Sequence, residues 1–145
     1  MTMKRETLVE EIWKRQSEVT GVATTARNPK HPPKEGEFPR INIFELEEPI
    51  EEGSMLRTKK ARLSVLVEFF IEGTSEQAGS MELMAFAELV VDTMYQTGLR
   101  LMRQGEIAMI KETRRSRVLR PPISGPVFGL GIFWEIRYVE DIVIT

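Results

Sequence analysis

Apolar and polar residues alternate most regularly along two segments of the chain. The odd positions of residues 61–71 are all apolar, while charged side chains such as Arg62 and Glu68 occupy even positions. The even positions of residues 128–138 are also all apolar, and Trp134 lies in the middle of them. Because successive side chains of a strand point to opposite faces of a sheet, each segment is predicted to be a long strand with one covered face. Trp134 is therefore predicted to be buried.

Two other segments show the period that is typical of helices. Residues 3–19 place apolar side chains at helical spacing among charged ones, which predicts a one-sided surface helix. The main predicted helix follows Ser80 and ends near Gly98, and its core positions are Leu83, Ala87, Val90 and Met94. Further apolar residues between Met81 and Tyr95 widen its apolar stripe beyond what one sheet face needs, so we expect a second buried surface.

Two apolar residues interrupt the polar side of the first long strand. Leu66 and Phe70 occupy even positions, where the neighbouring side chains are mostly polar or charged. Apolar side chains in a polar face indicate that part of this face is buried as well, and another subunit is one candidate cover. Leu66 and Phe70 are therefore predicted partner-binding residues.

Four weaker segments complete the secondary-structure prediction. Residues 27–39 hold four prolines and are predicted to be an exposed loop. Residues 40–46 are predicted to be a short strand, in which the apolar positions switch sides at Phe44, so a bulge or an edge position is expected. Residues 47–58 are predicted to be an acidic turn or hairpin tip, and residues 106–119 a strand or an extended arm.

The order of these elements predicts the fold class. Helix, strand, strand, helix, weak strand and strand are typical of an α+β protein. The expected sheet is mostly antiparallel or mixed, with about four strands and two main helices packed on one face. With 41% hydrophobic and 29% charged residues, the 145-residue chain suits a single domain, residues 1–145, with an ordinary core.

Composition narrows the function only a little. The formal charge of −2 excludes no partner, because a near-neutral total can hide patches of either sign. The lack of cysteine excludes disulfides and thiolate metal sites, and it fits a reducing compartment. Residues 1–6 lead into an amphipathic stretch with no apolar signal core, and no apolar run is long enough for a membrane span. We therefore expect a cytoplasmic protein with no membrane partner.

Patterns that would indicate catalysis or metal binding are missing. His31 is the only histidine and has no nucleophile motif nearby, so we expect a solvated side chain. The acidic residues within 47–52 lack the spacing of a calcium loop. Glu82, Glu88 and Asp92 do not share one tight helix face, so a catalytic carboxylate pair is not expected. The sequence predicts no catalytic, cofactor or metal site, and a protein that is not an enzyme.

One charged feature stands out, residues 111–120, here called the basic arm. Against the single acid Glu112, the arm carries Lys111, Arg114, Arg115, Arg117 and Arg120. Arginine makes bidentate contacts with phosphates and carboxylates, so the arm is a candidate site for nucleic acid or an acidic partner. A solvated surface is the alternative, since no aromatic residue is interleaved for base stacking.

The element order resembles the tail terminator family of long-tailed bacteriophages, the minor tail protein U type. The resemblance begins with an amphipathic N-terminal helix and a Pro-rich segment that ends in Phe38-Pro39-Arg40-Ile41-Asn42-Ile43. It continues through the charged turn, the long strand at 61–73, one long helix and the final alternating strand at 128–138. The basic arm and the Pro121-Pro122 pair after it depart from what we recognise as the family pattern.

The resemblance implies a non-enzymatic subunit that forms a hexameric ring on the end of the tail tube, stops its polymerisation and presents a surface to the head. It implies as partners further copies of the chain, the tail tube protein and a head-completion or connector protein, and DNA passing through the ring is a further candidate. It also implies assembly in the cytoplasm of a bacterial host and a final place in the virion tail of a phage or prophage.

Three alternatives stay open. The chain could be another head–tail joining or neck protein, or a small nucleic-acid-binding module that uses Arg114, Arg115, Arg117 and Arg120. An enzyme with an unrecognised carboxylate site has the least support, because it would need a deep pocket around Glu82 or Glu88.

Overall fold

A computed structural model describes residues 4–46 and 58–141 of the chain. Its elements in chain order are α1 (Lys4–Gln16), β1 (Thr24–Arg27), β2 (Arg40–Glu45), β3 (Thr58–Glu72), α2 (Gly79–Arg103), β4 (Met109–Arg115) and β5 (Val127–Asp141). The predicted acidic turn at 47–58 lies, apart from the first residue of β3, outside the described residues.

The described strands form one mixed sheet in the order β1-β2-β3-β5-β4. β1 runs parallel to β2, and the other neighbouring pairs are antiparallel. The predicted α+β class and mixed sheet are confirmed, but the sheet has five strands and not about four. The prediction missed β1 because four half-buried residues are too few to show an alternating pattern.

Both helices pack on the same face of the sheet, as predicted. The inward side chains of β3 and β5 lie opposite each other in register, for example Val65 and Trp134, and both are buried. α2 covers this pair of strands, with the Phe86 ring centroid 5.8 Å from that of Phe69 and the Tyr95 ring edge-on to Trp134 at 5.2 Å. The predicted burial of Trp134 is therefore confirmed.

β2 is neither bulged nor at the edge of the sheet, contrary to the sequence prediction. It lies between β1 and β3, and its six residues pair with β3 in a continuous antiparallel register. Phe44 breaks the alternation of β2 because its side chain packs on the other face of the sheet. There it lies opposite Leu66, on the face away from the helices. The prediction failed because the short β1, which pairs with the outer edge of β2, was not visible in the sequence.

The main helix is longer than predicted, because α2 passes through Gly98 and ends at Arg103. A Cβ atom added at Gly98 would lie 2.4 Å from Cγ2 of Ile110 on β4. Glycine at this position lets the helix approach β4 closely, so it reflects packing rather than a helix end. The first helix is shorter than predicted and ends at Gln16, before a turn that reaches Gly21.

The Pro-rich segment begins one residue later than predicted, since Arg27 is the last residue of β1. The Arg27 guanidinium donates to both Glu6 carboxylate oxygens, at 2.5 and 2.6 Å, and to Glu45 at 3.0 Å. These contacts join α1, β1 and β2. The following residues 28–39 contain no helix or strand, and Pro33 is buried while most of their other side chains are exposed or half-buried.

Candidate interaction surfaces

The sheet face that points away from the helices, here called the open face, carries the charged side chains of β3, β4 and β5. Register places Arg62 directly opposite Arg137, and Lys111 directly opposite Glu135. Two residues before Glu135 on the same strand, Phe133 lies between Leu66 of β3 and Arg114 of β4. The open face therefore combines a charged region with an apolar row.

Three cations of the open face converge on one carboxylate. Oε1 of Glu135 lies 3.2 Å from Nη1 of Arg62, and Oε2 lies 3.5 Å from Nζ of Lys111 and 3.6 Å from Nε of Arg137. The Glu135 side chain is 11% exposed, whereas those of Arg62, Lys111 and Arg137 are 37%, 55% and 45% exposed. With Arg114, these side chains form the basic cluster, which presents its cations to solvent above a buried acid.

The basic cluster also sets the ionisation of Glu135. Burial is the largest single influence and raises the pKa of this carboxyl, but Arg137, Lys111 and Arg62 together lower it more, so the pKa lies below its ordinary value. A depressed pKa in the folded protein means that the ionised carboxylate favours folding. This contribution is present above the ordinary pKa of the carboxyl and is lost as the pH falls through the folded value.

The structure divides the predicted basic arm between several environments. Arg114 lies on the open face, with its guanidinium carbon 4.2 Å from the centroid of Phe133. Arg115 lies on the helix face and pairs with Glu112, while Arg120 contacts both Glu76 carboxylate oxygens at 2.9 Å. The side chain of Arg117 is exposed. The five predicted cations therefore do not form one surface.

Leu66 and Phe70, the other predicted contact residues, differ in burial. Leu66 is half-buried in the apolar row, where Phe44 and Phe133 flank it. Phe70 is 4% exposed and packs over Gly129, where a Cβ atom would lie 2.4 Å from its ring. Residues 117–121 line an open groove of about 560 Å³ beside Phe70. Burial of Phe70 therefore comes from this chain, and Leu66 is the more accessible of the two.

A second polar group lies at the other end of the open face. Arg40 and Asn42 are buried, and Asn42 donates from Nδ2 to Oε1 of Glu68 at 3.5 Å. Burial raises the pKa of the Glu68 carboxyl, and the Asn42 hydrogen bond and the nearby Arg40 charge offset only part of this effect. The folded protein therefore holds a proton on Glu68 more tightly than the unfolded chain does.

We expect Glu68→Gln to stabilise the protein at neutral pH. A raised carboxyl pKa lowers the free energy of unfolding as the pH rises from the unfolded to the folded value, and glutamine has no charge to desolvate. The gain should be less than about 1 kcal/mol, because the group is only half-buried and solvent screens it. Urea denaturation at pH 7 and at pH 4 should show that the difference from the unmodified protein shrinks in acid. Glu72→Gln, an exposed position on the same strand, is the control, and an equal gain there would contradict the assignment.

An apolar stripe runs along the exposed side of α2. It consists of side chains that are 40–79% exposed, namely Met81, Met84, Tyr95, Leu99 and Met102. Their spacing places them within one narrow sector of the helix, next to the sector that enters the core, and the charged Glu88 lies in the same sector between Met84 and Tyr95. A shallow groove of about 180 Å³ separates the Met84 end of the stripe from Arg115, so the stripe lies on the β4 side of the helix.

The described part of the chain shows no grouping of side chains that would bind a metal ion. Among residues 4–46 and 58–141, no three His, Cys, Asp or Glu side chains come together as a metal ion would require. His31 is exposed in the Pro-rich loop. None of the described helices is both long enough and apolar enough to span a bilayer.

Comparisons with known proteins do not identify the function of this chain. No protein family and no curated protein matches the sequence. A solved structure of the virion of a native gene transfer agent particle contains a chain with 11% sequence identity and a TM-score of 0.49. The superposition covers 88% of this chain and 91% of that chain. A likeness at this level carries no argument about what the protein does.

Sequence reasoning did not single out Arg62, Glu135 or Arg137. The alternating pattern placed each of them on the polar side of a long strand, which was correct. That β3 pairs with β5, and that Arg62 therefore meets Arg137, depends on strand order and register. Part of the surplus apolar surface of α2, at Met81, Met84 and Tyr95, was visible in the sequence from helical spacing. Leu99 and Met102 lie beyond the predicted helix end, and Phe86, which the prediction included, belongs to the core.

Proposed function

We propose that residues 1–145 act as one domain of a structural, non-enzymatic protein of a phage or prophage tail, a tail terminator. In this proposal the chain forms a closed ring that caps the tail tube and provides the head-joining surface. The resemblance in element order supports the tail assignment, and it supplies six as the expected number of subunits. The observation that carries self-assembly is the apolar stripe of α2.

The stripe favours association because its side chains meet water in a monomer. Each is 40–79% exposed, and the group lies together on one side of one helix. Burial of apolar surface is worth about 25 cal/mol for each Å² removed from water. Single exposed apolar residues are common on monomers, but several on one side of one helix are typical of a protein-protein contact. We expect a second copy of the chain to cover it.

A head-to-tail contact suits both the structure and the proposed role. The two outer strands of the sheet, β1 and β4, differ in length, charge and neighbouring helix, so opposite sides of the subunit present different surfaces. Contacts between unlike surfaces build rings when the rotation between subunits closes, and open filaments when it does not. A closed ring would stop growth of the tube without any catalytic step.

The proposed partners follow from this role. They are other copies of the chain, the tail tube protein and a head-completion or connector protein. The protein would assemble in the cytoplasm of a bacterial host and remain in the virion tail. Another head–tail joining or neck protein would share these properties, and tube-end binding separates the two.

The purified protein should form a closed ring, alone or on contact with tail tubes. Light scattering across about a hundredfold range of concentration should show a mass that rises to a plateau, because a closed ring has a fixed number of subunits. Electron microscopy of tail tubes mixed with the protein should show capped ends and limited length. A strict monomer that leaves tube ends and lengths unchanged would overturn the proposal. A mass that rises without a plateau would indicate a filament.

A further inference from the structure

We propose that the basic cluster of the open face, made by Arg62, Lys111, Arg114 and Arg137 around Glu135, binds the phosphodiester backbone of duplex DNA. The inference rests on the proposed function to the extent that a tail ring would bring this face near DNA. Among the described residues, strand register brings these four cations and one carboxylate together on a chain whose formal charge is −2.

Cross-strand pairing of like charges is the first argument. Arg62 of β3 and Arg137 of β5 occupy directly opposite positions on the same face. Like charges at such positions destabilise a sheet, whereas most other pairs are neutral or favourable. Glu135 offsets part of this repulsion from below, and an anion bound on the solvent side of the two guanidinium groups would offset more of it.

Glu135 leaves hydrogen-bond donors of the cluster available. Its carboxylate is buried at the base of the cluster, while Arg62 and Lys111 extend past it into solvent. One carboxylate offers about four acceptor sites, but one guanidinium and one ammonium group together bring about eight N–H donors. Glu135 therefore orients the cations without using their full capacity, and donors remain for the oxygens of a bound anion.

Spacing favours a phosphate backbone over an acidic protein. Neighbouring strands lie about 4.8 Å apart, and alternate residues of one strand about 7 Å apart, so the cations form a closely spaced array on one sheet face. Duplex DNA presents about one charge per 1.7 Å of its axis, which such an array can meet in many alignments. A protein would have to place several carboxylates at matching points. Lys111 and Arg114 of the predicted basic arm belong to this cluster, whereas Arg115 and Arg120 each pair with an acid of their own, Glu112 and Glu76.

The test is the salt dependence of DNA binding. Fluorescence anisotropy with a labelled duplex of about 20 base pairs would compare the unmodified protein with the double variant Arg62→Gln, Lys111→Gln. Arg137 remains in that variant to neutralise Glu135, so the fold should persist, and thermal unfolding checks this. We expect at least about a tenfold loss of affinity at low salt. The slope of log K against log salt should fall by about 1 to 2, since each phosphate contact contributes about 0.9.

A charge-matched variant controls for net charge. Lys14→Gln, Lys34→Gln removes the same two charges from exposed positions on α1 and the Pro-rich loop, and it should bind DNA as the unmodified protein does. An equal loss in both variants, or an unmodified protein that does not bind, would overturn the inference. Equal competition by poly-L-glutamate would also overturn it in favour of an acidic protein partner.

Light scattering on the same variants separates this inference from the proposed tail role. Rings that do not bind DNA would refute only this inference. DNA binding by a strict monomer that has no effect on tail tubes would refute only the tail role.

Discussion

Replacement of Trp134 by alanine should lower the free energy of unfolding by about 3 to 5 kcal/mol, the usual range for a large-to-small change in a core. Trp134 is 1% exposed and lies in the middle of β5, opposite Val65 of β3. α2 covers it through the edge-on ring of Tyr95. Alanine would leave a cavity where the sheet and the main helix meet, and neither element can move without losing its other contacts.

Chemical denaturation followed by circular dichroism would measure this effect. Trp13→Ala is the matched control, because Trp13 is 38% exposed and makes a hydrogen bond from its indole Nε1 to the carbonyl oxygen of Thr25. The control should cost less than half as much. A loss below about 1 kcal/mol for Trp134→Ala would show that the register of β5 differs from the one described here.

A second variant separates packing from hydrogen bonding at the same position. The indole Nε1 of Trp134 is buried and has no hydrogen-bond partner among the described residues. Phenylalanine removes this unsatisfied donor while it keeps much of the apolar ring. Trp134→Phe should therefore recover much of the stability that alanine loses.

Polar substitution of the apolar stripe should abolish the ring without unfolding the subunit. Leu99→Gln combined with Met102→Gln replaces two neighbouring exposed side chains near the C-terminal end of α2. Neither belongs to the core cluster, so the melting temperature of the monomer should change little. The association energy should fall sharply, because central apolar contacts dominate many interfaces.

Leu89→Gln provides the matched control for the stripe. Leu89 is 42% exposed, like the stripe residues, but it lies about 140° around α2 from Met84 and Met102 and about 80° from Leu99. Light scattering should show monomers for the stripe variant and rings for the control, under the conditions in which the unmodified protein assembles. Rings that persist in the stripe variant would show that another surface makes the contact, and equal loss in both would make the whole helix exterior the interface.

The sequence by itself determined the elements whose signal is local. β3 and β5 were predicted because alternation over many residues cannot arise from a helix, and the buried rows that contain Val65 and Trp134 follow the predicted alternation. α2 was predicted from its helical spacing, which also showed that more apolar surface is present than the sheet can cover. Together with α1, these elements were enough for the fold class.

Only the tertiary structure decided the features that depend on neighbours. β1 is four residues long, and it exists as a strand because β2 lies beside it. The helix continues through Gly98 because Ile110 of another strand occupies the space that a side chain would need. Strand order brings Arg62 to Arg137, and a register shift between Glu112 and Arg114 of β4 places Arg114, and not Arg115, on the open face. Periodicity determines which face of the sheet a side chain takes. The pairing of strands that are distant in sequence is a long-range property. The charged residues that meet on the open face could therefore be identified only from the folded chain.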